Sequence, residues 1–532
     1  METKQKTSIL TKFINIIEKG GNKLPHPFIL FTSLVIITMI ASYILSIFNL
    51  NVTYLSASKV VGESSKEVTV SVTNLLSEDN LKYLFVKFPD IFVSYVPLRL
   101  VLIMMIASAF IQKTGFFETF MKKYLLKVPR SLVTFAVVFM AINANLMSDA
   151  GTIFALTMGG VIFAALGRNP LIGTVLGFVG ASGGFTANFF LAGTDALLAG
   201  ITENAVASMG VSVDINPAMN YFFMASATLF LAITVTIFTE KVIVKILGDN
   251  SGSLSPELLE KHKLTTDQEK GLKWALWGFI VFIILLLFLT VPDHAFLRNA
   301  DNGFLPKSPL FTGIISVISV LFLLTGIPYG IATGSINKAS DIPKIISSGI
   351  QQAVPFLTTT VAASVFIDLL GKSNIFKILA IKGANLLKTG DVSLITLCIL
   401  VVVITTIINP FMTSGSSKWL LLAPMVVPMF TILNVHPAYA QVAFRIGDSC
   451  TNIISPLHSA LPVLIGILAD YQAEGKIPLR PGETESREIG IGTIFSLTIP
   501  YSIVLLLTMT AMLVFWILLE LPIGPGVQLY IH

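Results

Sequence analysis

Apolar residues run along this chain in blocks, and the lengths of those blocks predict its elements. A helix needs about 20 consecutive apolar residues to cross the hydrocarbon core of a bilayer. Unbroken blocks of that order lie at 28–48, 91–112, 218–246, 272–291, 308–328, 345–370 and 491–519. Two further stretches, 170–200 and 438–470, are apolar but interrupted by Gly, Ser, Asn and charged residues. Two more, 131–167 and 391–432, are too long for one span, and each carries a polar, small-residue break in its middle. We read these two as re-entrant helical hairpins. Irregular backbone at membrane depth is tolerated only where protein or a water-filled cavity covers it, so the four interrupted stretches are where function is sought. The expected fold is an all-α polytopic membrane protein with about nine transmembrane helices and two re-entrant hairpins, in two repeat-related halves.

Composition excludes the soluble alternative. Only 12% of the 532 residues are charged and 54% are hydrophobic, where soluble chains carry about 25% charge. The first block, 28–48, is longer than the roughly 7–15 residues of a signal-peptide core and lacks an A-x-A site, so it reads as a retained helix. Cys398 and Cys450 form no CxxC pair and suggest neither zinc nor a required disulfide. Lys and Arg mark cytoplasmic segments. They gather in residues 1–27, after the second span (Lys113, Lys122, Lys123, Lys127, Arg130), and around 241–273. The tail after Glu520 has none, so it reads as external. An inside start and an outside end require an odd number of crossings, which nine satisfies. The lysines at 372, 377, 382 and 388 disagree, falling on the outer side of this count. The chain thus divides into a cytoplasmic segment 1–27, a first membrane half 28–246 with a compact external loop 50–90, a cytoplasmic linker 247–270, a second half 271–520 and an external tail 521–532.

The two halves share a pattern. Ile142-Asn143, Ser148-Asp149-Ala150-Gly151-Thr152, Gly180-Ala181-Ser182 and Thr186-Ala187-Asn188 recur as Ile408-Asn409-Pro410, Thr413-Ser414-Gly415-Ser416-Ser417, Gly447-Asp448-Ser449 and Thr451-Asn452. Asn143 precedes Asn188 by 45 residues and Asn409 precedes Asn452 by 43. Paired, Gly/Pro-interrupted segments in corresponding halves point to a transporter's binding site. On the span count the hairpins enter from opposite sides, which makes the repeat inverted.

An ionised side chain at mid-membrane costs about 2.5–3.5 kcal/mol on insertion scales, so intramembrane charges are functional candidates. Here they are Arg99, Asp149, Arg168, Asp195, Asp368, Lys418, Arg445 and Asp448. For Arg168 and Asp368, near segment ends, snorkelling or a structural ion pair is the plainer reading. Arg445 and Asp448 are three apart and share a helix face, as a salt bridge or as a substrate and ion site. They lie beside Gly447, Ser449, Thr451, Asn452, Ser455 and Pro456, a run suited to an unwound turn whose oxygens replace a cation's hydration shell. A sodium ion near Asn409, Asp448, Thr451 and Asn452 is one expectation. Arginine forks onto carboxylates, which suits an acidic substrate. Asp195, after Gly193-Thr194, is a coupling carboxylate or a helix N-cap, and Asn188 and Asn452 belong to the same ion-coupling set. Ser416 and Trp419 lie near the second hairpin tip. Trp419 offers either a face to a ring-bearing substrate or an interfacial anchor. There is no Walker A loop and no HExxH, so neither ATP drive nor a zinc enzyme is supported.

At these motifs the sequence resembles the AbgT family, the bacterial p-aminobenzoyl-glutamate transporters. The resemblance runs nearly end to end, through Gly21-Asn-Lys-Leu-Pro-His-Pro27, Met147-Ser-Asp-Ala-Gly151, Gly193-Thr-Asp-Ala-Leu-Leu-Ala-Gly200, Ser417-Lys-Trp-Leu-Leu-Leu-Ala-Pro424 and Arg445-Ile-Gly-Asp-Ser-Cys-Thr-Asn-Ile-Ile-Ser-Pro456. It implies a homodimer of bowl-like protomers in the bacterial inner membrane, each with nine membrane helices and two hairpins. It also implies functional positions at Asp195, Asn409, Ser416, Trp419, Pro437, Arg445, Asp448 and Pro456. The implied activity is transport of p-aminobenzoyl-glutamate or export of sulfonamide antimetabolites, driven by H+ or Na+ with no organic cofactor. Cys450 stands where the resemblance suggests a serine, which makes cation ligation from that position doubtful. His458 adds a titratable group near the cavity. Rival readings are a carrier of another small organic anion, such as a dicarboxylate or short-chain fatty acid, a passive channel, and an integral membrane enzyme. The last lacks a nucleophile–base or metal cluster.

Overall fold

The computed structural model describes residues 25–56, 66–125, 128–209, 211, 213–249, 263–304, 308–389, 393–412, 414–478 and 490–531. The expected cytoplasmic segment 1–27 lies almost wholly outside them, as does most of the expected linker 247–270.

Among the described residues, ten helical stretches are long and apolar enough to cross a membrane. Three of the ten are hairpin parts: Arg130–Ala165, Leu394–Phe411 and Gly415–Ile432. The other seven include Glu78–Lys113, which is interrupted at Ser94–Tyr95. In chain order the helices that matter below are α1 (Pro27–Ile47), α2 (Glu78–Val93), α3 (Val96–Lys113), α4 (Phe116–Leu125), α5 (Val133–Asn143), α6 (Ser148–Ala165), α7 (Pro170–Phe178), α8 (Gly193–Ala207), α9 (Tyr221–Phe238), α10 (Thr266–Thr290), α11 (Ile314–Thr333), α12 (Asp341–Ser373), α13 (Ile375–Thr389), α14 (Leu394–Ile408), α15 (Gly415–Ile432), α16 (Pro437–Thr451), α17 (Leu461–Ala473) and α18 (Ile491–Leu518).

Both halves repeat one order of elements. In the first, α5 ends in a tight 3-10 tip, Ala144–Met147, and α6 runs on to α7; α7 then opens into a π-helical turn, Val179–Gly183, before α8. In the second, α14 ends in the tip Asn409–Phe411, α15 runs on to α16, and α16 opens at Asn452–Ile454 before α17. All residues of α7 and of α16 are buried, so the broken spans form the centre of the protein. Missing side chains allow this close approach. A Cβ on Gly173 would lie 2.2 Å from the Gly159 carbonyl oxygen, and one on Gly447 would lie 2.6 Å from that of Val402. Around this centre, α10 packs on α11, α11 on α3, and α12 on α1 and α3.

The loop at 50–90 departs from expectation. It is not simply a compact polar loop: Asn51–Ser56 pairs antiparallel with Lys66–Ser71, Val52 facing Val70. Residues 78–93 are then helix, running into α3. Its charges disguised it. Glu78, Lys82, Lys87 and Asp90 read as loop residues, yet at three- and four-residue spacing they form ion pairs on one helix, Lys82–Glu78 at 2.6 Å and Lys87–Asp90 at 3.0 Å.

The discordant lysines find a physical setting in α13. This helix follows Asn374, which takes a left-handed φ of 59°. It packs on α15 and on the first strand. At about 1.5 Å per residue its fifteen residues are too short to cross a bilayer. Lys372, just before it, sits over the Tyr83 ring at 3.3 Å.

Arg168 is structural. It holds Asp249 at 2.8 Å and Glu240 at 2.9 Å, donates to Thr134 at 2.9 Å, and lies over the Phe163 ring at 4.5 Å. One guanidinium thereby ties the start of the first hairpin, the α6–α7 turn and the chain beyond α9. Arg99 and Asp149 are exposed, and Asp368 accepts a hydrogen bond from Tyr83 at 3.2 Å.

Candidate functional site

The site is built around α16. His436 caps its N-terminus, accepting from the Ala438 N–H at 3.1 Å, and Pro437 presets the first turn. Gln441, Arg445, Asp448, Ser449 and Thr451 then follow on a helix buried along its whole length. Buried charge is tolerable only with partners, and each charge here has one from another segment.

Arg445 and Asp448 do not pair with each other. Arg445 reaches into the first half, where its guanidinium meets the Asp195 carboxylate at 2.6 Å and the Thr186 carbonyl oxygen at 2.6 Å. Both partners of the ion pair are buried, at 1% and 4% exposure. Asp195 also accepts from the Ala192 N–H at 2.7 Å, so it caps α8 as well as pairing. Asp448 turns the other way and pairs with Lys418 of α15, which is 0% exposed. Lys418 also donates to the Asn409 side-chain oxygen. Three positions apart on a helix diverge enough for the long arginine and the short aspartate to serve different neighbours.

Asn409, at the second hairpin tip, donates to the Asp448 carbonyl at 2.6 Å, to Thr451 Oγ1 at 2.8 Å and to Asn452 Oδ1 at 3.0 Å. Asn409, Asp448, Thr451 and Asn452 are thus brought together as the sequence suggested, but Lys418 takes up the Asn409 oxygen and the Asp448 carboxylate. No three His, Cys, Asp or Glu side chains gather as a metal-ligand group among the described residues. In the first half Asn143 bonds Phe189 N–H at 3.0 Å. Asn188 is 4% exposed, and neither its oxygen nor its nitrogen has a hydrogen-bond partner among the described residues.

Trp419 is neither an interfacial anchor nor the wall of an open cavity. It is fully buried and stacks on Phe444 with ring centroids 4.7 Å apart. Its indole N–H donates to Thr202 at 2.9 Å; Thr202 donates to Gln441 at 2.6 Å; Gln441 donates to Asn220 at 2.7 Å. Sequence reading missed this chain; it placed Thr186 in the repeat but missed its bond to Ser449 across the two halves. The available signal was neutral: Thr202, Asn220 and Gln441 are polar residues in apolar surroundings, but they carry no charge to flag them. Lys418 was visible as an intramembrane charge without a partner.

The other expected positions spread out. Ser416 is half-buried and bonds Ser414 at 3.2 Å. Pro437 lies eight residues before Arg445, about 12 Å along the helix axis, at the opposite end of α16 from the ion pairs. Pro456 follows the break, next to Ser455, whose hydroxyl donates to the Pro410 carbonyl at 3.1 Å. Cys450 is buried, and its thiol contacts the Met509 sulfur at 3.6 Å. His458 packs edge-on against Phe178 at 5.1 Å.

A large, mostly apolar cavity of about 1350 Å³ lies elsewhere, lined among others by Phe189, Tyr221, Phe222, Phe322, His436 and Asp214. Neither Arg445 nor Trp419 lines it. The polar centre is closed in this conformation, and a ligand reaches Arg445 only if the broken segments part.

The AbgT putative transporter family matches residues 12–531. The chain is 31% identical to the p-aminobenzoyl-glutamate transport protein of Escherichia coli (strain K12) over 520 residues, covering 97% of this chain and 96% of that one. Among solved structures, the Neisseria gonorrhoeae MtrF, described as illuminating a class of antimetabolite efflux pumps, superposes with a TM-score of 0.86 at 33% identity, covering 97% of this chain and all of that one. The Alcanivorax borkumensis YdaH transporter superposes with a TM-score of 0.82 at 27% identity, covering 94% of this chain and all of that one.

Proposed function

The chain belongs to the AbgT family of transporters, and from that premise we propose that it is an ion-gradient-driven secondary transporter of p-aminobenzoyl-glutamate or related aromatic acids, with export of sulfonamide-type antimetabolites served by the same site. The observation that carries this reading is the Arg445–Asp195 pair, buried between the two broken spans and set on the same helix as Phe444, the stacking partner of Trp419. An arylamide of glutamate presents a ring and carboxylates. The ring suits the Trp419–Phe444 stack. The carboxylate suits Arg445, whose Nε–H has no acceptor among the described residues. Binding in this arrangement exchanges the Asp195 partner for a substrate carboxylate. Asp195 is then left to take a proton or a cation, which is how a carboxylate couples ion and substrate. Asp448, Asn409, Thr451 and Asn452 supply oxygens for a sodium ion on the other face, and in the first half the Asn188 and Ser182 side chains have no hydrogen-bond partner among the described residues. The lysine-rich N-terminal sequence favours a cytoplasmic N-terminus, and the protein works as a homodimer in the bacterial inner membrane.

Competition in proteoliposomes tests the substrate class. Uptake of labelled p-aminobenzoyl-glutamate should be blocked by the unlabelled compound and by p-aminobenzoyl analogues, and left intact by equal succinate or butyrate. Inhibition by succinate alone would assign the site to dicarboxylates.

A further inference from the structure

Counted from each tip asparagine, the two halves differ in what can occupy their polar tips. Nine residues after Asn143 stands Thr152, and nine after Asn409 stands Lys418. The ammonium of Lys418 is fully buried and touches both the Asp448 carboxylate and the Asn409 side-chain oxygen. Thr451 and Asn452 are bound to the same asparagine. These oxygens form the kind of set that a small hard cation takes, and a primary ammonium is already lodged against them.

The charges support this occupancy. Asp195 faces Arg445 and Asp448 faces Lys418, so the four buried charges cancel in pairs. A free cation added at Asp448 would leave an uncompensated positive charge in a dry interior, which is strongly unfavourable. Lys418 lies on α15, three residues after that arm of the hairpin begins at Gly415. It therefore moves with the hairpin, whereas Asp448 belongs to α16. The room between them is small: a Cβ on Gly415 would lie 3.0 Å from an Asp448 carboxylate oxygen.

We propose that Lys418 is a tethered occupant of the second-half cation site, and that a free monovalent cation binds at Asn409, Asp448, Thr451 and Asn452 only when the second hairpin swings the lysine out. The hairpin then exchanges a tethered cation for a free one without leaving Asp448 bare. Ion occupancy and hairpin position become a single event. In the first half the arm Ser148–Ala165 carries no lysine or arginine, so the exchange belongs to the second hairpin alone. This deepens the ion-coupled reading above and rests on it.

Equilibrium binding of radioactive sodium to the purified full-length protein tests the exchange without substrate or flux. Lys418→Met should bind sodium at least about tenfold more tightly than the wild type, and adding Asp448→Asn to it should abolish the gain. Lys418→Arg should stay close to the wild type. Thermal unfolding gives a second reading on Lys418→Met and Lys418→Gln: sodium chloride should raise their melting temperature over choline chloride by more than it does for the wild type, through binding to the folded state. Equal sodium binding by wild type and Lys418→Met, or a gain that survives Asp448→Asn, would overturn the proposal. That outcome leaves the transport reading standing, whereas a failure to accumulate substrate would leave a sodium gain in Lys418→Met untouched.

Discussion

Replacing Arg445 with alanine is expected to abolish transport and to remove about 3–5 kcal/mol of folding stability, the usual cost of breaking a buried ion pair from one side. The basis is the isolation of the pair. Arg445 and Asp195 are 1% and 4% exposed, 2.6 Å apart, and lie on segments 250 residues apart in sequence. Without the arginine, Asp195 keeps only the Ala192 N–H among the described residues. The Thr186 carbonyl loses its donor as well. A companion variant separates structure from function. Arg445→Met combined with Asp195→Asn removes both charges together, which is far less costly than removing one. It should recover most of the melting temperature in detergent and none of the flux. Transport by Arg445→Ala at the wild-type rate would remove this pair from the substrate site.

Trp419→Ala should have the next largest effect. The side chain is fully buried, stacks on Phe444 at 4.7 Å and holds Thr202 through its N–H. Truncating a buried aromatic to alanine costs about 3–5 kcal/mol, from lost transfer energy and the cavity left behind. Trp419→Phe keeps an aromatic ring in place and loses the hydrogen bond, at a cost of about 1 kcal/mol. The functional signature is selective. If the ring of the substrate enters this stack, Trp419→Leu should raise the half-saturating concentration of p-aminobenzoyl-glutamate roughly two- to tenfold, the range set by an aromatic pair worth about 0.5–1.5 kcal/mol. Thermal unfolding and concentration-dependent uptake check the two effects separately. An unchanged half-saturation in a folded Trp419→Leu variant would make the tryptophan a packing residue only.

The sequence showed the membrane class and the hairpins because block length is a one-dimensional property. A bilayer fixes how long an apolar run must be, so overlong runs with a polar middle stood out, and the resemblance to the AbgT family supported folding them back where length alone left that open. Scarcity of charge also singled out Asp195, Arg445 and Asp448. Their partners were not legible. Helical spacing told that Arg445 and Asp448 lie near one another on α16, but not that Arg445 meets Asp195 in one half and Asp448 meets Lys418 in the other. Those choices depend on which segment packs against each side of the helix. Neutral residues were harder still. The chain Trp419–Thr202–Gln441–Asn220 joins α15, α8, α16 and the start of α9, and apart from Trp419, singled out for its ring, its members do not differ in type from ordinary surface residues. Residues 78–93 show the reverse case: their charges suggested a loop until helical spacing paired them.

The central claim is that this closed, charge-compensated centre moves an aromatic acid at the expense of an ion gradient. The most direct measurement is accumulation of labelled p-aminobenzoyl-glutamate in proteoliposomes, with proton and sodium gradients imposed one at a time. The account predicts concentration above the external level under at least one of the two gradients, collapse of that accumulation when an ionophore dissipates the gradient, and none with Arg445→Ala. Equilibration to the external level under every gradient, at the same rate in wild type and Arg445→Ala, would contradict it.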